Sequence, residues 1–139
     1  MSQRAHILVV EDDFAIRETV TEVLESEGFR VTCASNGADA LIRLDETDNL
    51  PGLILLDLMM PVMDGWEFRL AQRRNPRIAD IPVIVLSAGA GMEARLASLA
   101  PDAFLPKPFE LDHLLHTVAR VSLRHGGIGQ APAAMHQSA

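Results

Sequence analysis

The apolar run Leu53-Ile54-Leu55-Leu56 stops at a carboxylate, Asp57, and the chain then turns through Met59, Met60 and Pro61. A short unbroken apolar stretch bounded by turn residues is a strand covered on both faces. An unpaired charge cannot sit in the middle of such a strand, because burying it costs several kcal/mol. Asp57 therefore marks the strand's C-terminal end, where solvent and ligands can reach it. Three other segments repeat the pattern. HILVV ends at Glu11-Asp12-Asp13, VIVL ends at Ser87, and Ala103-Phe104-Leu105 leads into Lys107.

The intervals between these runs read as helices. Ile16, Val20, Val23 and Leu24 recur at helical spacing after the first strand, His6 to Val10, and Gly28 supplies a C-cap signal. Phe29 to Ala34 is a second strand. Asn36 with Asp39 resembles an N-cap pair ahead of a short helix carrying Ala38, Leu41 and Ile42, and Asp45 to Gly52 is a polar loop. Asp64 with Glu67 forms a capping box in which Asp replaces Ser or Thr, so a helix runs from Gly65 to about Arg74, closed by Pro76. Ile81 to Ser87 is the fourth strand, with Pro82 at its start, where no ladder donor is required. A flexible loop from Ala88 to Gly91 and a short helix from Met92 to Leu99 follow. Leu111, Leu114, Leu115, Val118 and Val121 make the clearest helical stripe.

Strands alternating with helices give a parallel sheet covered on both faces. Right-handed crossovers place all strand C-termini on one edge, where ligands of such sheets bind. Glu11, Asp12, Asp57, Ser87 and Lys107 all fall on that edge.

At 139 residues the chain is expected to form one domain over 1–124, followed by a disordered tail, 125–139, of Gly, Pro, Gln and Ala without period. Its net charge of −7 argues against a partner bound through nucleic-acid phosphates. Arg69, Arg73, Arg74 and Arg77 read as a solvated helix face. Cys33 is the only cysteine, which excludes an internal disulfide, and it is expected to be a small buried core residue. No stretch approaches a membrane span and the N-terminus does not read as a signal peptide, so a cytoplasmic protein is expected.

Glu11, Asp12 and Asp57 together repel one another, and a hard divalent cation such as Mg²⁺ relieves that repulsion. Asp13, which opens the first helix, reads instead as a cap. A carboxylate beside such a cation can attack phosphorus and form an aspartyl phosphate. Lys107 would neutralise part of the phosphoryl charge, and Ser87 could donate a hydrogen bond to it. His6, His113, His116, His125 and His136 form no convincing metal or triad pattern, and Trp66 reads as packing rather than a binding platform.

The combination VVEDD, LLDLMMPVMDG, VIVLSA and FLPKPF resembles the response-regulator receiver domains of bacterial two-component signalling, over about residues 5–123. The resemblance implies a flavodoxin-like, doubly wound α/β sheet of order 2-1-3-4-5 with five helices. It implies that Asp57 is the phosphoacceptor. Glu11, Asp12, Asp57 and the backbone carbonyl of Met59 would hold Mg²⁺, and Ser87 with Phe104 would form the switch. It also implies a cis bond at Lys107–Pro108. The phosphodonor would be a histidine kinase or a histidine phosphotransfer protein. The face made by the fourth helix, fifth strand and fifth helix would signal to a downstream protein and support a weak homodimer. The first acid is Glu11 rather than Asp, and Phe104 stands where Tyr is commoner. The interval from Ser87 to Lys107 is shorter than is usual in the family, which bears on the fourth helix. Met59 and Gly89, which would flank the phosphoryl group, cannot orient an attacking water by strong hydrogen bonding, so unremarkable or slow self-dephosphorylation is expected.

The expected activity is that of a stand-alone switch rather than a turnover enzyme. Three alternatives stand beside it. The chain could be the receiver fragment of a larger regulator or a receiver-fold binding module that works unphosphorylated. It could also be a metal-dependent phosphatase, but Met59 occupies the place where that chemistry needs a second acid.

Overall fold

The computed structural model describes residues 5–87 and 93–124. The expected loop at Ala88 to Gly91, the start of the fourth helix at Met92 and the expected tail at 125–139 lie outside the described residues. Five strands form one parallel sheet: β1 (His6–Val10), β2 (Arg30–Ala34), β3 (Leu53–Asp57), β4 (Val83–Ser87) and β5 (Ala103–Pro106), in the order β2-β1-β3-β4-β5. The helices are α1 (Phe14–Ser26), α2 (Gly37–Glu46), α3 (Gly65–Arg73), α4 (Glu93–Leu96) and α5 (Leu111–Arg124). The expected doubly wound fold is present, but among the described residues α4 is a single turn that runs on as a 3₁₀ turn, Ala97–Leu99.

Alternation along the strands divides the core into two layers. Ile7, Val9, Leu55, Ile84 and Leu105 pack with Leu24 of α1 and with Leu114, Val118 and Val121 of α5. Leu8, Val10, Ile54, Leu56 and Val85 pack on the other face with Leu44 of α2, Phe68 of α3 and Leu96 of α4. Each such large side chain contributes roughly 1.5–3 kcal/mol when fully buried.

The helix ends follow the chemistry of their sequences. Asp13 caps α1, its Oδ1 accepting from Ile16 N at 3.0 Å. Gly28, just past α1, takes a φ of 96°. Asn36 caps α2 and accepts from Asp39 N at 2.8 Å. The Asp64–Glu67 capping box is complete, with bonds of 2.9 and 3.0 Å. Several boundaries differ from the sequence reading: β2 starts at Arg30, β5 runs on to Pro106, and two larger shifts have local causes. β4 begins at Val83, because Pro82 accepts from Ile54 N but has no N–H of its own to extend the ladder. α2 continues through Leu44 to Glu46, because Leu44 is buried one turn beyond Ala40.

Cys33 is half-buried on the outermost strand, β2, beside the Thr21 hydroxyl at 3.3 Å, rather than inside the core. The arginine cluster is corrected more sharply. Arg73 and Arg74 are exposed, but Arg69 is buried. Its guanidinium donates to Leu99 O at 2.8 Å, Ala100 O at 2.8 Å and Gln72 Oε1 at 2.7 Å. Gln72, also buried, passes its amide protons to Ile78 O and Ile81 O, both at 3.0 Å. Two of the Arg69 donors thus meet the main-chain carbonyls at the end of the 3₁₀ turn, and the third meets the Gln72 side chain. Hydrogen bonds to a charged group are each worth about 1.5–3 kcal/mol, so the cluster ties α3 firmly to the turn before β5.

One loop residue is strained. Val62 takes a φ of 69° while Met63 N donates to Pro61 O at 2.7 Å, a three-residue turn that a β-branched side chain resists. Val62 is exposed, so its side chain contributes little packing in return. Val62→Gly is expected to raise the urea midpoint, with a gain on the order of 1 kcal/mol in unfolding free energy at unchanged m-value.

Candidate functional site

Four strand ends bring the chemistry together. Glu11 directly follows β1 and is anchored by its own N–H to Ala34 O at 3.1 Å. The Arg17 guanidinium donates to Glu11 O at 2.7 Å and so fixes the acidic turn from the helix side. Asp57 is the last residue of the central strand β3, and Ser87 the last of its neighbour β4. Lys107 follows β5 and its N–H donates to Ser87 O, which holds the lysine against the end of β4. The Lys107–Pro108 bond is cis, as the sequence resemblance implied.

Side-chain geometry follows from that frame. The Lys107 ammonium lies 2.8 Å from Glu11 Oε1 and 3.3 Å from Asp57 Oδ1. One carboxylate oxygen from each of Glu11, Asp12 and Asp57 fits within a span of 4.8 Å. Glu11 and Asp57 are buried and Asp12 is exposed, so the cluster opens to solvent on one side. Met59 N donates to Asp57 Oδ1 at 3.4 Å, while the Met59 side chain projects into solvent.

The charges do not balance. Burial pushes Glu11 up to about 7; the bond to Lys107 works against this and the Asp57 charge adds to it. Asp57 is also raised, by burial first, with the Lys107 charge opposing. Burial alone would lower Lys107, but its bond to Glu11 and the Asp57 charge outweigh that and raise it. One ammonium thus bridges two of the cluster's three carboxylates. The donor set, all carboxylate and partly open to water, fits a hard divalent cation.

The loop after Asp57 is held by two close approaches. A Cβ on Gly65 would stand 2.5 Å from Asp57 O and 2.8 Å from Leu58 Cα. Gly65 N donates to Leu58 O at 3.0 Å, so the start of α3 rests on the end of β3. A Cβ on Gly37 would meet Met63 O at 2.9 Å, and Gly37 N donates to that same oxygen. These two glycines position the loop beside the carboxylate, and neither was recognised from the sequence as a site residue. The spacing Asp57…Gly65 in LLDLMMPVMDG carries the signal.

The other candidates fall as expected. Asp13 is a cap, His113 and His116 are exposed, and Trp66 is half-buried against the core with the Arg95 guanidinium 4.5 Å above its ring. Phe104 is half-buried on β5, beside Val85 of β4. Gly89, His125 and His136 lie outside the described residues.

Two predictions follow from this geometry. With all divalent cations chelated, a folded-state value of about 7 for Glu11 against 4.5 unfolded means that stability is full below pH 4.5 and is lost as pH rises through 7. Glu11→Gln keeps an acceptor for Lys107 and removes the charge. It is expected to be more stable than wild type by on the order of 2 kcal/mol at pH 8 and equal to it near pH 4.5, by denaturant titration in EDTA. Gly65→Ala forces backbone against backbone and is expected to cost about 1–3 kcal/mol on the same assay.

The response regulator receiver domain family matches residues 7–119. Among curated proteins, the response regulator MprA of Mycobacterium sp. (strain KMS) is 37% identical over 128 residues, which cover 91% of this chain and 54% of that protein. The chain spans about half the length of the curated relatives it matches. Among solved structures, the chemotaxis response regulator CheY4 of Vibrio cholerae aligns with a TM-score of 0.78 at 30% identity, covering 86% of this chain and 99% of that one. The response regulator TrrA of Thermotoga maritima, solved in complex with Mg²⁺-BeF, aligns with a TM-score of 0.74 at 32% identity, covering 84% and 98%. With the sheet order, the acidic edge and this match in agreement, the chain belongs to the response regulator receiver domain family.

Proposed function

We propose that this receiver domain is a phosphorylation-activated signalling switch whose phosphoacceptor is Asp57. The observation that carries the reading is the ammonium of Lys107 bridging two buried carboxylates, 2.8 Å from Glu11 and 3.3 Å from Asp57. A surplus of negative charge at a strand end prepares the site for a cation and a phosphoryl group together.

In the reaction, an Asp57 carboxylate oxygen attacks the phosphorus of a phosphohistidine. The P–N bond breaks, the imidazole leaves with the bonding pair and is protonated, and an acyl phosphate remains on Asp57. Mg²⁺ held by Glu11, Asp12, Asp57 and the Met59 carbonyl would supply positive charge to the phosphoryl oxygens. Lys107 is already within reach and transfers one of its hydrogen bonds to the new group. Ser87 follows with its hydroxyl, and Phe104 turns into the space that this movement leaves. The face of α4, β5 and α5 then changes its preference between partners.

The phosphodonor in this reading is a histidine kinase or histidine phosphotransfer protein, and the output is a downstream protein in the cytoplasm. The phosphoryl group is taken onto the domain's own side chain rather than passed to an external substrate, and hydrolysis returns Asp57 to its free carboxylate. The charge of −7 disfavours direct contact with nucleic acid, and among the described residues no helix is long and apolar enough to cross a membrane.

Intact mass after incubation with acetyl phosphate and Mg²⁺ tests the assignment. Wild type is expected to gain one phosphoryl group, and Asp57→Asn none; a gain by the variant, or no gain by wild type with cation binding verified, overturns it. The exposed Met59 thioether offers no strong hydrogen bond to an attacking water. Decay of phosphorylated wild type is therefore expected to be no faster than that of Met59→Asn, followed by the same mass readout.

A further inference from the structure

The short α4 and its 3₁₀ turn are held on α3 at three points. The Arg69 guanidinium binds Leu99 O and Ala100 O, Arg73 Nη1 donates to Ser98 O at 3.1 Å, and the Arg95 guanidinium stacks 4.5 Å over Trp66. The first of these is buried, and Gln72 completes it from the same helix. Ala100 sits in the left-handed region, φ 48°, which turns its carbonyl and that of Leu99 onto the arginine. Beyond Ala100, Asp102 N donates to Val83 O and the Asp102 carboxylate accepts from Val83 N, so the turn is tied to β4 as well.

We propose that Arg69 and Gln72 form a clasp that keeps residues 97–100 seated on α3 in both the resting and the phosphoryl-loaded protein. This rests on the reading of Asp57 as phosphoacceptor and adds how that site is regulated. Magnitudes decide between a fixed and a moving turn. Coupling between sites typically shifts a conformational equilibrium about 5- to 150-fold. Opening the clasp strips two carbonyls from a buried cation, a bias on the order of 10² to 10⁴-fold against opening. The clasp therefore outlasts the switch. State-dependent change on this side reaches partners through β5 and Phe104, and the 3₁₀ turn serves as a fixed wall.

Backbone hydrogen exchange read by mass spectrometry tests this in the intact chain. In wild type, loading with Mg²⁺ and beryllofluoride is expected to change exchange around Asp57 to Met59 while leaving residues 97–102 within about threefold of the unloaded rate. A change above tenfold at 97–102 overturns the proposal. In the unloaded protein, Arg69→Met is expected to speed exchange at 97–102 by at least tenfold while β1 and β3 stay protected, and Arg69→Lys to recover part of the protection. Exchange at 97–102 in Arg69→Met no faster than wild type also overturns it. A response absent near Asp57 on loading counts against the phosphoacceptor reading, and the clasp is then decided by the unloaded variants, or by the unloaded Arg69→Lys protein alone if Arg69→Met does not fold.

Discussion

Everything at the C-terminal edge depends on one lysine that is asked to neutralise too much. Lys107 reaches both Glu11 and Asp57, yet burial still holds both carboxyls above their ordinary range. A fold optimised only for stability would replace such a cluster with a balanced pair or an apolar contact, because buried charges rarely repay their desolvation. Keeping the imbalance leaves the edge with a standing affinity for positive charge, and for any group that brings it. The strain is tolerable because the sheet beneath is saturated with apolar contacts, with Leu55 and Leu56 of β3 and Leu86 of β4 fully buried.

The backbone makes that imbalance usable. Gly65 and Gly37 allow the loop after Asp57 to lie against the starts of two helices, and the donors of both glycines meet carbonyls of the loop's own neighbourhood. The Arg17 bond to Glu11 O does the same for the acidic turn after β1. Carboxylates that repel one another are thus held by main-chain contacts, which do not relax when a side chain changes its protonation.

Much of this was legible in the sequence, for physical reasons that differ between residues. Asp57, Ser87 and Lys107 declared themselves because a polar residue ending an apolar run has few places to go in a parallel sheet. The capping residues Asp13, Asn36 and Asp64 were equally plain, since their chemistry is local. Arg69 was misread as part of a solvated face because four arginines close together suggest solvent before burial. Its helix carried the contrary signal. Gly65, Phe68, Arg69 and Gln72 stand at i, i+3, i+4 and i+7, the inward stripe of α3, and two of the four are polar. What they bind could not be read, because Leu99 and Ala100 are distant in sequence and their carbonyls become available only when α4 stops after one turn.

The two buried polar clusters of this domain are built in opposite ways, and the contrast explains their roles. At the sheet edge, negative charge exceeds compensation, which suits the cluster to the cation of the proposed function. Beneath α3, a single guanidinium is met by three oxygens at 2.7–2.8 Å, and Gln72 spends its amide on two more carbonyls. In the proposed clasp, a buried guanidinium met by three oxygens has little to gain from a second arrangement, and so it would hold position while the edge changes. A switch needs one element with two nearly equal states and a frame with only one. On the proposed reading the frame extends further than the sheet, through Arg69 to the turn that leads into β5, and the bistable part is correspondingly small.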